Sequence, residues 1–147
     1  MECHTRALPD LRPRGERVEI PFEDTTLPAI FRLPAHAAGA PRGAPVVILI
    51  AGLDSTKEEF YTLEAEIHLR GLATLAFDGP AQGERSAMVL RPDFEVAVSS
   101  VVDYLCADSR VNAARIGALG VSSGGYYAPL SHAADSRLAA TVGVAGF

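Results

Sequence analysis

The sequence is most informative at Gly120–Gly125, which reads Gly-Val-Ser-Ser-Gly-Gly. This stretch follows an apolar run and precedes a segment that is compatible with a helix. A serine between two glycines at such a junction is typical of a sharp strand-to-helix turn that exposes one side chain. Glycine is favoured on both sides because a Cβ would collide where the strand and the helix cross. Only Ser122 has glycine two residues before it and two after it, so Ser122 is the candidate nucleophile.

The second serine of the turn has a different predicted role. The backbone N–H of Ser123 follows the candidate nucleophile, where it can point at a developing oxyanion. Small residues also crowd ordinary turns, so a purely structural turn is the alternative interpretation. The position of the turn, directly after a buried strand, favours the nucleophile.

Outward from this turn, continuous apolar runs alternate with apolar residues at helical spacing. Strands that are buried on both faces and separated by helices are typical of a parallel sheet. The predicted fold class is therefore α/β, with a doubly wound and mostly parallel sheet. The predicted strands are 45–50, 72–77, 116–119 and 138–146, and the predicted helices are 60–70, 92–105 and 125–135.

The beginning of the chain has a different pattern. Residues 1–16 are rich in proline and arginine and are predicted to be a tail or linker, which leaves 17–147 as the folded domain. Residues 17–22 and 27–33 alternate between polar and apolar side chains. They are predicted to be two edge strands, because Pro21 and Pro28 lack an N–H group and are best tolerated where no neighbouring strand needs that donor.

Composition excludes several classes of function. The 147 residues are 48% hydrophobic and 21% charged, with a net charge of −5, as expected for one globular domain without a nucleic-acid or membrane surface. The start of the chain has no apolar region typical of a secretory signal, so a cytoplasmic location is predicted. The two cysteines, Cys3 and Cys106, have no metal-site spacing. Cys106 is predicted to be a small core residue of a helix.

The turn at Ser122, its place after the third buried strand and the antiparallel-looking start together resemble the α/β-hydrolase family, from about Arg17 to Phe147. Two further segments are similar to a narrower group, the dihydroxypseudooxynicotine hydrolase and fermentation-respiration-switch esterase relatives. They are Ala51–Glu59, Ala-Gly-Leu-Asp-Ser-Thr-Lys-Glu-Glu, and Phe77–Glu84, Phe-Asp-Gly-Pro-Ala-Gln-Gly-Glu. The resemblance implies a serine hydrolase that acts on a small-molecule carbonyl compound, an ester or a C–C bond beside a ketone. It implies no metal and no organic cofactor.

The same resemblance implies a role for the segment after the first buried strand. Gly52 would let the backbone pass close to the substrate, and the Leu53 N–H would be the second oxyanion donor beside that of Ser123. Such a donor contributes roughly 3–4 kcal/mol of transition-state stabilisation. A plain strand-to-helix turn is the alternative. Asp78 and Glu84 are either polar anchors over the site, or Asp78 only accepts hydrogen bonds from the backbone of its own turn.

A serine nucleophile needs a general base, and the sequence offers none in reach. His132 is ten residues from Ser122 on one helix, about 15 Å along its axis. His68 is expected to face solvent, His36 lies in a loop, and His4 lies in the tail. Asp135, like His132, lies on the helix that the turn opens.

The resemblance places the acid and the histidine of the triad after two further strands. The chain is therefore expected to be the first half of a catalytic domain, truncated after the strand that follows the nucleophile helix. It is expected to be inactive alone and to self-associate through an exposed sheet edge. The alternative hypothesis is a non-catalytic α/β-hydrolase-like module that binds a ligand or a partner.

Overall fold

The computed structural model describes residues 6–8 and 10–146, so the predictions for Cys3 and His4 lie outside the described residues. Six strands form one sheet, in the order β1-β2-β4-β3-β5-β6. The strands are β1 (Gly15–Phe22), β2 (Thr25–Arg32), β3 (Ala44–Ile50), β4 (Ala73–Phe77), β5 (Val111–Val121) and β6 (Leu138–Val144). The helices are α1 (Tyr61–His68), α2 (Glu95–Ala107) and α3 (Ser123–Ala134), with 3₁₀ turns at Lys57–Phe60 and Gly83–Arg85.

The sheet is mostly parallel. Strand β3 pairs in parallel with β4 and β5, and β5 pairs in parallel with β6. Strands β1 and β2 are antiparallel to their neighbours. The predicted α/β class is therefore confirmed. In such a sheet the carboxyl ends of β3, β4 and β5 meet at one edge, which is where ligands bind in open α/β folds.

Helices cover both faces of the sheet, and alternate residues of one strand show this. Ile48 and Ile50 belong to the apolar cluster that includes α2 and α3, whereas Leu49 belongs to the cluster under α1. All three side chains are fully buried. A strand buried on both faces reads as a continuous apolar run, which explains why β3 was recognisable in the sequence.

The prediction of two edge strands is wrong for β2. Strand β1 is at the edge, but β2 lies between β1 and β4. Pro28 is tolerated inside the sheet because the ladder between β2 and β4 begins only at Ala29. Strand β1 begins at Gly15, two residues before the predicted boundary, and the Gly15 N–H donates to the carbonyl oxygen of Leu8, whose side chain is buried.

The prediction of a core position for Cys106 is also wrong, since this side chain is exposed. The buried residues of α2 are Ala97, Val98, Val101, Val102 and Leu105. Cys106 follows the last of them by one residue, which turns it about 100° away around the helix.

Strand β6 forms the other edge of the sheet. Its side chains Val142 and Val144 are 51% and 45% exposed. An exposed apolar edge can pair with another chain. The predicted self-association through this edge stays a prediction. Within the described ranges, 6–8 and 10–146, no helix is long and apolar enough to cross a membrane.

Candidate functional site

Ser122 stands at the junction between β5 and α3 with an unusual backbone. Its φ is 56° and its ψ is −124°, and residues other than glycine rarely adopt a positive φ. The side chain is exposed. The Ser122 N–H donates to the carbonyl oxygen of Val144 (2.9 Å), and the Ser122 carbonyl oxygen accepts from the Gly125 N–H (2.8 Å). Such strain persists only where the surrounding structure imposes it, and it is concentrated at functional sites.

The glycines around Ser122 allow three backbone segments to meet. A Cβ on Gly120 would overlap the Gly124 carbonyl, and a Cβ on Gly124 would overlap the carbonyl oxygen of Ile50. The start of α3 therefore lies directly against the end of β3. This approach brings Gly52 beside the serine, since a Cβ on Gly52 would lie 3.3 Å from the Ser122 Cβ and 3.7 Å from its Oγ.

The two proposed oxyanion donors lie next to residues of this contact. Leu53 follows Gly52, and its side chain is 52% exposed. Ser123 is the first residue of α3, at the positive end of the helix dipole. In the described part of the chain, neither backbone N–H donates a hydrogen bond in a turn or loop. The role of these two N–H groups as oxyanion donors stays a prediction.

A buried ion pair ties the loop after β3 to the loop after β4. The Lys57 Nζ lies 2.7 Å from Asp78 Oδ2 and 2.7 Å from Glu84 Oε1. Lys57 and Asp78 are both fully buried. Asp78 also accepts from the backbone N–H of Lys57 (2.9 Å) and of Glu84 (3.0 Å). Asp78 therefore does more than hold its own turn, since it also anchors the neighbouring loop through Lys57, and its place over an active site stays a prediction.

Neighbouring charged groups shift the pKa values of Lys57 and Glu84. Burial alone would lower the pKa of Lys57, but the hydrogen bonds to Asp78 and Glu84 outweigh it, so the pKa is raised. The hydrogen bond from Arg17 is the main cause that lowers the pKa of Glu84 to about 2, and Lys57 adds to it. Lys57 is therefore a permanent cation with a structural role.

Sequence reasoning missed Gln82, which is 1% exposed. Its Nε2 donates to the carbonyl oxygens of Ala51 (2.8 Å) and Gly52 (3.1 Å), and its Oε1 accepts from the Gly79 N–H (3.1 Å). The only signal in the sequence was its place in the motif after β4, which does not show what an amide there would touch.

The loop after β4 has an unusual backbone at Ala81. Ala81 has a φ of 67°, in the left-handed region. Glycine adopts this region without steric cost, whereas for alanine the conformation is roughly 1–2 kcal/mol less favourable. The backbone keeps this conformation, in which the Gln82 N–H donates to Gly79 O (3.0 Å).

The structure separates the described histidines from Ser122. His132 is exposed on α3, and its Nδ1 is 3.5 Å from the Thr141 Oγ1. His68 does not face solvent as predicted, since it is 5% exposed and its Nε2 lies 2.9 Å from the Thr74 Oγ1. Burial is the main cause that lowers its pKa to about 4, so it is neutral. Thr74 lies near the start of β4, whereas Ser122 follows the carboxyl end of β5.

Acid is expected to weaken the fold through Glu84. Its folded pKa of about 2 lies below its ordinary 4.5, so an unfolded chain binds this proton first as pH falls. The stabilisation is complete above pH 4.5 and is lost between pH 4.5 and 2. We expect the free energy of unfolding to fall by about 1–2 kcal/mol over this range, because the Glu84 side chain is 25% exposed and water screens its ion pair. Urea unfolding at several pH values measures it. Glu84→Gln should show a shallower decline, and an equal decline in both proteins would contradict the assignment.

Groups of three or more His, Cys, Asp or Glu side chains that could hold a metal ion do not occur within residues 6–8 and 10–146. The candidate site combines a serine with a strained backbone, the backbone N–H groups beside it, and two loops joined by the Lys57–Asp78 pair. Donors of this kind can stabilise an oxyanion that forms on a carbonyl group beside the serine.

Known proteins are similar to this chain in sequence and in fold. A family model described as esterase FrsA-like matches residues 15–146. The chain is 39% identical to 2,6-dihydropseudooxynicotine hydrolase of Paenarthrobacter nicotinovorans, over all of this chain and 39% of that protein. It is 40% identical to the α/β hydrolase xenA of Xenoacremonium sinensis, over 99% of this chain and 36% of that protein. The chain thus spans well under half the length of these curated relatives.

The crystal structure of 2,6-dihydroxy-pseudo-oxynicotine hydrolase superposes with a TM-score of 0.92 at 39% identity, covering 99% of this chain and 41% of that one. Est1E of Butyrivibrio proteoclasticus, with ferulic acid bound, shares the fold with a TM-score of 0.76 at 21% identity, over 88% of this chain and 52% of that one. The resemblance that the sequence motifs indicated is confirmed. The chain belongs to the family of FrsA-like esterases and has the α/β-hydrolase fold.

Proposed function

We propose that this chain carries the nucleophile and the oxyanion donors of a serine hydrolase. The observation that supports it most is Ser122 itself, an exposed serine with a φ of 56° beside the backbone of Gly52. Glycine would adopt this backbone without strain, so a serine here carries a conformational cost that a functional side chain would account for. The membership of a hydrolase family supports the same role.

In the proposed reaction, the Ser122 Oγ adds to a carbonyl carbon and its proton passes to a general base. The π electrons of the carbonyl move to its oxygen, which accepts hydrogen bonds from the N–H groups of Leu53 and Ser123. Collapse of this intermediate breaks the bond to the leaving group, which takes up a proton. Water then hydrolyses the acyl-serine, releases the acid and regenerates the hydroxyl.

The substrate class follows from the relatives. We propose a small carbonyl compound, either an ester or a ketone with a scissile adjacent C–C bond. The matching family model is described as an esterase. The bacterial relative is named as a hydrolase of a pseudooxynicotine derivative. A cytoplasmic location, without a nucleic-acid or membrane partner, belongs to the same proposal.

We propose little or no turnover by the chain alone. Within residues 6–8 and 10–146, no hydrogen bond links a histidine to Ser122. Without a base, the hydroxyl of serine is a weak nucleophile at neutral pH. A module that binds ligands without catalysis is the second candidate, and the same observation favours it.

Labelling with a fluorophosphonate probe tests the proposal, with imidazole added as an external base. We expect slow labelling of Ser122 that imidazole accelerates about 10-fold or more, since general bases contribute about 10²–10⁴ in rate. Ser122→Ala should abolish labelling. Ser109→Ala, at an exposed serine of a loop, should label like the wild type. Mass spectrometry of the intact chain and its peptides measures both.

The outcomes separate the two candidates. Labelling at Ser122 that depends on imidazole supports the hydrolase. A folded chain that stays unlabelled with imidazole, or a Ser122→Ala protein that labels as fast as the wild type, overturns the nucleophile and favours the binding module.

A further inference from the structure

We propose that Gln82 is a positioning residue that orients the N–H of Leu53 toward the oxyanion. This inference rests on the proposed function and assigns a role to a side chain that does not itself touch Ser122. Gln82 lies 30 residues along the chain from Gly52, on the loop after β4. Its side chain is buried, and all its polar groups are hydrogen-bonded to the backbone.

One peptide unit joins Gly52 to Leu53. The carbonyl of Gly52 and the N–H of Leu53 belong to the same planar group, and in a trans peptide they point in opposite directions. Gln82 Nε2 donates to the Gly52 carbonyl oxygen (3.1 Å), which also accepts from the Ser55 N–H (3.3 Å). Fixing that oxygen therefore fixes the direction of the Leu53 N–H, which must point away from Gln82.

The second Nε2 contact strengthens this control. The same amide donates to the carbonyl oxygen of Ala51 (2.8 Å), one residue earlier. One NH₂ group thus binds two successive carbonyls just after β3 ends at Ile50. Ala51 and Gly52 are buried, and besides Gln82 the Gly52 carbonyl oxygen has the Ser55 N–H as a donor at a longer distance (3.3 Å), while the Leu53 side chain is half exposed. The orientation of the Gly52–Leu53 peptide therefore depends on Gln82.

The orientation of the Gln82 amide is itself determined. Its Oε1 accepts from the Gly79 N–H (3.1 Å), so the NH₂ end must face Ala51 and Gly52. Gly79 in turn is packed against Phe94, whose ring a Cβ would overlap. The Asp78–Lys57 pair holds the two loops together from the other side. The core of the protein thus positions the amide, and the amide positions the peptide.

Replacing the donor without changing the shape tests this assignment. Gln82→Glu keeps an oxygen for the Gly79 N–H and loses both N–H donors, and Gln82→Met keeps the length without any polar atom. The amide ¹H and ¹⁵N resonances of Leu53 report the environment and direction of its N–H. We expect them to shift and broaden in both variants, with faster hydrogen exchange. Ser86→Ala, at an exposed position of the same loop, should leave them unchanged.

The second readout is the imidazole-assisted rate of fluorophosphonate labelling at Ser122. A misdirected donor should slow it about 10- to 100-fold, because removal of one oxyanion donor costs about 10²–10³ in known serine hydrolases. The thermal midpoint of each variant identifies any general loss of structure. If Gln82→Glu does not fold, Gln82→Met provides the comparison.

The outcomes distinguish this role from the proposed function. A Leu53 resonance that is unchanged in both folded variants overturns the role of Gln82, and so does a shifted resonance with an undiminished labelling rate. If the wild-type chain is not labelled at all, the proposed hydrolase fails. The Leu53 resonance then still decides whether Gln82 orients this peptide.

Discussion

Gly120→Ala is expected to destabilise the protein by about 3 kcal/mol or more, at the upper end of overpacking effects. The added Cβ would overlap the carbonyl group of Gly124 and lie 2.9 Å from the nitrogen of Gly125. These are backbone atoms at the start of α3, so relief requires the helix to move away from β5. That movement would also separate Ser122 from Gly52. Thermal and urea unfolding followed by circular dichroism measure the loss.

Gly117→Ala is the matched control for this prediction. Gly117 lies on the same strand, but its Cβ would approach only the carbonyl oxygen of Ala140, at 3.1 Å. A small adjustment of the β6 edge relieves this contact, so we expect a change within about 1 kcal/mol. Equal stabilities of the two alanine variants would show that the close crossing at Gly120 does not constrain the fold.

Lys57→Met is expected to cost about 3–5 kcal/mol, since it leaves the buried carboxylate of Asp78 without its cation. Lys57 is the only lysine of the chain, and Nζ has three carboxylate partners, Asp78, Glu84 and Glu58, within 3.0 Å. For a protein of this size the effect corresponds to a decrease of about 10 °C or more in Tm. Urea unfolding at neutral pH measures the free energy directly.

Two further variants test the cause. Arg70→Met removes an exposed cation paired with Glu66, whose side chains are 66% and 63% exposed, and should change stability by less than about 0.5 kcal/mol. Asp78→Asn in the Lys57→Met background removes the unpaired charge and keeps an acceptor for the backbone N–H groups. It should recover part of the loss. Without recovery, packing of the lysine stem rather than charge would explain the defect.

The fold was largely predictable because its signals are local. The run at 45–50 is apolar at every position, since β3 is buried on both faces. The position of β2 was not predictable in this way. Whether a strand lies at an edge depends on which partner joins its far side, and β4 is more than 40 residues away in sequence. The prediction that His68 faces solvent was wrong for a similar reason, because its hydrogen-bond partner Thr74 lies on a different element.

At the site, the glycine spacing alone singled out Ser122, and the structure adds its left-handed backbone and the contact with Gly52. Ser123 was named from the same turn and Leu53 from a resemblance, and the roles of both stay proposals. Gln82 stood in a quoted motif without a role. Its side chain binds backbone carbonyls of another loop, and backbone atoms leave no trace in a sequence pattern.

The sequence by itself determined where the chain must turn most sharply and which serine stands there, because glycine is the only residue without a Cβ. It also determined the alternation of buried strands and helices, because hydrophobic periodicity reflects the local surroundings of each segment. Only the tertiary structure decided how the two loops beside that serine are joined. Lys57 meets Asp78, and Gln82 meets Gly52, across separations of 21 and 30 residues. Such contacts exist only after β3 and β4 have paired in their register.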